Sequence, residues 1–119
     1  MSLSNVERRG CRSEIAAMAI DFQLLEIRDR DAVEAIVIAD QDGLVIAGAG
    51  DEDLCEAMAA RAPYAAAGAT TGSHYGPKQI AVMRVGGTDF LVACTRGKGD
   101  AASALKSAGA GARRILRAA

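Results

Sequence analysis

The chain is poor in the residues that carry most protein chemistry. It has one histidine, three cysteines and no tryptophan, and aromatics make up 3% of its 119 residues. A lone histidine, His74, offers no set of neighbours at metal-ligand spacing. Cys11, Cys55 and Cys94 stand far apart and are odd in number, so they form neither a CxxC pair nor a disulfide framework. A reducing compartment, the cytoplasm, is the expectation. Neither sign of charge is in excess. Lys and Arg number 14 against 15 Asp and Glu, a net charge of −1, which speaks against nucleic acid or an anionic membrane as partner. No apolar run reaches the roughly 18 residues of a membrane span. Met1–Arg12 holds Glu7, Arg8, Arg9 and Arg12 with no apolar stretch, so no signal peptide is expected. Met1-Ser2-Leu3 is compatible with a vector-derived remnant.

What is abundant is small. Alanine accounts for 26 residues and glycine for 13, while hydrophobic residues as a class reach 50% and charged residues 24%. The length predicts one domain over 1–119. Alanine and glycine let elements approach closely but bury little area each. The core is therefore thin, and support from a partner or from self-association is expected.

Residues 4–28 predict a helix, with Ile15, Met18, Phe22 and Leu25 on one face. The charged run Arg28-Asp29-Arg30-Asp31 reads as the loop after it. Residues 33–39 and 44–48 are β-branched runs joined by Asp40-Gln41-Asp42-Gly43, a hairpin with Gly43 at a left-handed position. Asp51 caps a second helix with Leu54, Met58, Ala62 and Ala65 as its stripe, and Pro63 predicts a kink or break near Arg61–Ala62. Gly68–Pro77 reads as a loop by composition. Residues 79–85 and 88–95 flank Gly86-Gly87, a second hairpin in which Val85 pairs with Thr88 and Arg84 with Asp89. Asp100 caps a last helix over 100–117 with Leu105, Ala108, Ala112 and Ile115 on its apolar face, and Gly109 and Gly111 permit close packing on the sheet. Both hairpins are apolar on both faces, so the sheet must be covered on both sides. The class is α/β in the α+β sense: hairpins interrupted by helices, in the order α, ββ, α, ββ, α, imply an antiparallel sheet.

Candidate chemistry is sparse. Cys55 sits in the first turn of a helix, where a thiolate is favoured, and Cys94 falls on an apolar strand face. Asp40 and Asp42 suggest a carboxylate pair, yet Val45 and Ala47 break any EF-hand pattern and a turn explains both acids. Thr95-Arg96-Gly97-Lys98-Gly99-Asp100 precedes a helix and could hold an anion, but Gly99 stands where a Walker loop needs Ser or Thr. No catalytic constellation, cofactor motif or metal site emerges, and the expectation is a protein that is not an enzyme.

The segment Val33–Leu54, VEAIVIADQDGLVIAGAGDEDL, resembles the Roadblock/LC7 family: an aliphatic strand, an acidic turn ending in Gly43, a second strand, and a helix opening with acids. The later strand pair and last helix match in order, so the likeness spans roughly residues 12–117. The family usually has three strands after the middle helix; this sequence shows two clear ones, and the resemblance puts a short third within Thr70–Tyr75 or leaves it missing, for the order α-ββ-α-(β)ββ-α. The resemblance implies a profilin-like layered fold, a five-stranded sheet with one helix on one side and two on the other. It implies homodimers or heterodimers with a related chain, in which second strands pair edge to edge and middle helices meet. The interface would then comprise Leu44, Val45, Ile46 and Ala47 with Leu54, Met58 and Ala62. It also implies an adaptor or regulator of a Ras-like small GTPase, as in bacterial relatives, with Arg61 as a candidate partner contact. A small-molecule sensory domain, using the 68–77 and 97–99 loops, is the alternative, and a thiol enzyme using Cys55 or Cys94 is the third reading.

Overall fold

The computed structural model describes residues 5–67, 74–75 and 78–118. Its elements run α1 (Asn5–Asp31), β1 (Ile36–Ala39), β2 (Val45–Ala49), α2 (Glu52–Ala66), β3 (His74–Tyr75), β4 (Lys78–Arg84), β5 (Leu91–Arg96) and α3 (Ala101–Ala118). Four antiparallel strands form the body of the sheet, and the two-residue β3 extends it beyond β4, giving the order β2-β1-β5-β4-β3. Apart from His74 and Tyr75, the Gly68–Pro77 stretch lies outside the described residues.

The alternation of the strands builds two cores. Ile36, Ile38, Val92 and Cys94 face α1 and α3, which contribute Ile20, Leu24, Ala104 and Ala108. Val37, Ile80, Leu91 and Ala93 face α2, which contributes Leu54, Cys55, Met58 and Ala62. One helix therefore covers one face of the sheet and two cover the other, as two doubly apolar hairpins require.

The turns follow their residue chemistry. Asp40 Oδ1 accepts from the amides of Asp42 at 2.9 Å and Leu44 at 3.0 Å. Gly43 has φ +82°, and a Cβ there would sit 3.1 Å from Ala60 Cα, so the first hairpin tip lies on α2. The second hairpin departs from its predicted register. Arg84 stands opposite Leu91, not Asp89. The reason is Thr88, whose hydroxyl donates to Val85 O at 2.9 Å and accepts from Phe90 N at 3.1 Å, widening the loop. The shift is by two residues, so every side chain keeps its predicted face. Arg84 and Asp89 still approach to 4.0 Å at the exposed tip.

Helix boundaries depart in two places. α1 continues through the charged run to Asp31. Arg30 donates to Asp31 Oδ2 at 2.7 Å and to Ser107 Oγ at 2.8 Å, and Asp31 O accepts Asp100 N at 2.9 Å. The charges thus bind the end of α1 to α3 instead of ending the helix. α2 likewise runs through Pro63 to Ala66 without the predicted break. Asp51 caps it as expected, its side chain accepting from Leu54 N at 3.0 Å.

The largest correction concerns α1. Ile15, Met18, Phe22 and Leu25, the apolar face that the spacing picks out, are 45–67% exposed. The buried face is Ala16, Ile20, Leu24 and Ile27, on the opposite side of the helix.

Candidate partner-binding surface

The residues assigned to a dimer interface separate into two groups. Leu44 and Val45, at the start of edge strand β2, are 62% and 39% exposed. Ile46 is half-buried and Ala47 is buried on the α1 side of the sheet. Leu54, Met58 and Ala62 face inward. Met58 and Ala62 are fully buried against the sheet and cannot meet another chain without unfolding this one. The face that α2 turns outward carries Glu56, Ala60 and Tyr64, with Ala57 and Arg61 half-buried beside it. Arg61 sends Nη1 toward Ala57 O at 3.4 Å, one turn earlier on the same helix.

The free side of β2 is partly closed. Asp21, from α1, accepts the amide of Gly48 at 2.9 Å. An edge amide bonded to a carboxylate is not available to a second strand. Beyond it the chain turns at Gly50, whose φ is +116° and where a Cβ would lie 2.7 Å from Ala35 Cβ. Between this turn and α1 runs an open groove of about 460 Å³ lined by Met18, Asp21, Phe22, Leu25 and residues 48–50.

The remaining candidates take structural places. Cys55 is buried, its Sγ 3.6 Å from Ala49 O, and burial first, then the charge of Asp51, raises its pKa. Cys94 is wholly buried, and burial pushes its thiol up to about 11. Neither position favours a thiolate. Thr95 is buried and its Oγ1 accepts from Glu34 N at 3.0 Å and Ala35 N at 3.2 Å. Asp100 Oδ1 caps α3 by accepting Ser103 N at 3.0 Å. Arg96 and Lys98 are exposed. Among the described residues no three His, Cys, Asp or Glu side chains gather as a metal site, and no helix is long and apolar enough to cross a membrane.

The two-hairpin sheet with one helix on one face and two on the other is the layered fold of Roadblock/LC7 domains, and the Val33–Leu54 segment falls on β1, its acidic turn, β2 and the start of α2. Among solved structures the chain is similar to Myxococcus xanthus MglB. The TM-score is 0.62 at 13% sequence identity, over 85% of this chain and 90% of that one. No family model matches the sequence, and no curated protein matches it.

Sequence reasoning missed the exposed stripe of α1 as a surface. The signal was present, because Ile15, Met18, Phe22 and Leu25 follow the 3-4-3 spacing of a helix-pairing seam. A second apolar stripe on the same helix left the choice of buried face open.

Proposed function

We propose that the chain is a non-enzymatic, dimeric adaptor that binds a Ras-like small GTPase in the cytoplasm and modulates its GTP hydrolysis by reshaping it. The observation that supports this reading is the likeness of fold to MglB, together with the Val33–Leu54 resemblance to the Roadblock/LC7 family. The placement of the thiols argues in the same direction, since a raised pKa withholds the nucleophile that a thiol enzyme needs.

Self-association in this reading uses a revised surface. Strand pairing runs along Leu44–Ala47 and stops at Gly48, whose amide belongs to Asp21. Helix contact uses Ala57, Ala60 and Tyr64 in place of Leu54, Met58 and Ala62. Arg61 lies at the margin of that face and is the contact proposed for the GTPase.

Light scattering of the parent should give a mass about twice the 12.2 kDa chain, and Leu44→Asp should halve it with the fold intact. Titration with a GTPase encoded beside the gene, loaded with GDP or a GTP analogue, tests the partner. Saturable binding in at least one state, weakened by Arg61→Ala, is expected. No binding in either state would overturn the GTPase reading. The small-molecule reading relies on residues 68–77 and on Gly97–Gly99. The second of these lies in an open groove with Ala32–Glu34 and Thr95, and no observation favours it.

A further inference from the structure

Helix α1 is apolar on two opposite faces, and the described residues cover one of them. The uncovered stripe holds Ile15 at 67% exposure, Met18 at 58%, Phe22 at 67% and Leu25 at 45%. Single exposed apolar side chains are ordinary, but four in one row are not. Their 3-4-3 spacing is that of a seam which receives another helix. Alongside the seam lies the groove formed with the Gly48–Gly50 turn.

Three acids border the stripe. Asp21 lies on one margin, Glu26 on the other, and Asp29 follows Leu25 by one turn on the stripe itself; all three are exposed. Glu52 and Glu56 of α2 border the adjoining recess, which shares Asp21 and the Gly48–Gly50 turn. Among the described side chains, the bases that follow the stripe on α1 are engaged elsewhere. Arg28 donates Nε to Glu34 O at 2.8 Å, and Arg30 is paired with Asp31 and Ser107. Among the described residues, no Lys or Arg lines the groove or the recess.

We propose that the α1–β2 groove is a docking site for a basic amphipathic helix of a partner protein. Its apolar side chains would lie along Met18, Phe22 and Leu25, and its Lys or Arg residues would face Asp21, Glu26 and Asp29. Two observations choose this occupant. A second copy meeting the same patch about a two-fold axis would bring one acid-bordered stripe against another. An added strand would need the Gly48 amide, which Asp21 already holds.

The chain has no tryptophan, so a synthetic Leu/Lys amphipathic helix carrying one Trp reports its own binding by fluorescence. Titrated into the full chain, it should bind saturably at one site. Phe22→Asp should weaken binding at least tenfold, and the charge reversal Glu26→Lys with Asp29→Lys should do the same. Tyr64→Asp on the outer face of α2 should leave it unchanged. Circular dichroism identifies any variant that fails to fold, and the exposed charge reversal serves if Phe22→Asp does. A peptide of equal composition with scrambled periodicity should bind at least tenfold more weakly. Equal affinity for the scrambled peptide, or for both the Phe22→Asp and the charge-reversed chains, would overturn the proposal. A parent dimer that Phe22→Asp turns into a monomer would overturn it too, by giving the stripe to a second copy. A GTPase that binds the Phe22→Asp chain as tightly as the parent would leave the GTPase reading untouched.

Discussion

Helices α1 and α2 carry apolar residues at the same helical spacings, and the fold uses them in opposite ways. In α2 the single stripe Leu54, Met58 and Ala62 is buried on the sheet, and the outer face is left with Glu56, Ala60 and Tyr64. In α1 the larger and more aromatic stripe is left outside, while Ala16, Ile20, Leu24 and Ile27 go in. Hydrophobicity ranks the stripes, but geometry chooses between them. α1 must pack on both the sheet and α3, and its end is fixed there by Arg30, Asp31 and the Asp31–Asp100 backbone bond. That anchoring sets the rotation of the helix. A bulky stripe left exposed beside the Gly48–Gly50 turn is then better explained by a partner than by the chain's own core.

The sharpest break of this comparison sets a buried residue against an exposed one. Met58→Asp should unfold the protein, because it places a carboxylate in a site with no exposure, packed among apolar side chains. A loss of more than about 4 kcal/mol is expected. Leu44→Asp and Phe22→Asp change residues that are 62% and 67% exposed and should stay within about 0.5 kcal/mol of the parent. Urea unfolding followed by circular dichroism checks all three. A folded Met58→Asp protein would restore Met58 to the interface and remove the contrast between the helices.

A second comparison stays within α1. Leu24→Ala should lose about 2–5 kcal/mol by leaving a cavity between the sheet and α3. Phe22→Ala removes a larger side chain and should lose almost nothing. Equal losses would mean that α1 is rotated from the orientation described.

The two cores can also be compared through their thiols. Cys94 belongs to the α1/α3 core and Cys55 to the α2 core. The unfolded thiol ionises near about pH 8.5, whereas native Cys94 holds its proton to about 11. Between these values the unfolded state binds fewer protons than the native state, so stability falls as pH rises. The thiol contributes a slope of at most about 1.4 kcal/mol per pH unit, which fades to nearly nothing below about pH 7. Cys94→Ala should remove most of that slope. Cys55→Ala should also reduce the slope, because burial raises that thiol in the same direction. Midpoints of urea unfolding from about 1.5 units below the free thiol value to about two units above it measure it.

Most of the layering was legible from residue chemistry. β-Branched alternation marked both hairpins and assigned each strand residue to its face. The Asp40–Gly43 turn and the Asp51 and Asp100 caps were readable because short polar side chains bond local amides. The illegible parts depended on distant partners. Thr88 resets a register through its hydroxyl, a choice that Gly86-Gly87 alone does not reveal. Helix α1 passes through a charged run because Ser107 and Asp100 wait on another element. The proposed interface failed at Leu54, Met58 and Ala62 because an apolar stripe on an isolated helix does not say whether its partner is the same chain or another. The groove was missed because it needs Gly48–Gly50 beside Phe22, two segments that the sequence separates.

The finest test probes the seam that fixes α1. The expectation that Gly109 and Gly111 pack closely on the sheet holds for Gly109, where an added Cβ would meet Met83 Cε at 2.9 Å. Gly111 packs instead on α1, and a Cβ there would overlap the amide of Gln23. Gln23 Oε1 is itself buried without a hydrogen-bond partner. Gly111→Ala should gain helix propensity worth about 1 kcal/mol and lose a similar amount by displacing that amide, for little net change. In a Gln23→Ala background the displaced group is gone and the gain should appear. The double variant should therefore exceed the sum of the single changes by about 0.5–1 kcal/mol in a double-mutant cycle. Additivity within about 0.3 kcal/mol would show that Gln23 does not face Gly111. Helix α1 would then be seated otherwise on α3, and the exposure of Met18 and Phe22 would lose its structural basis.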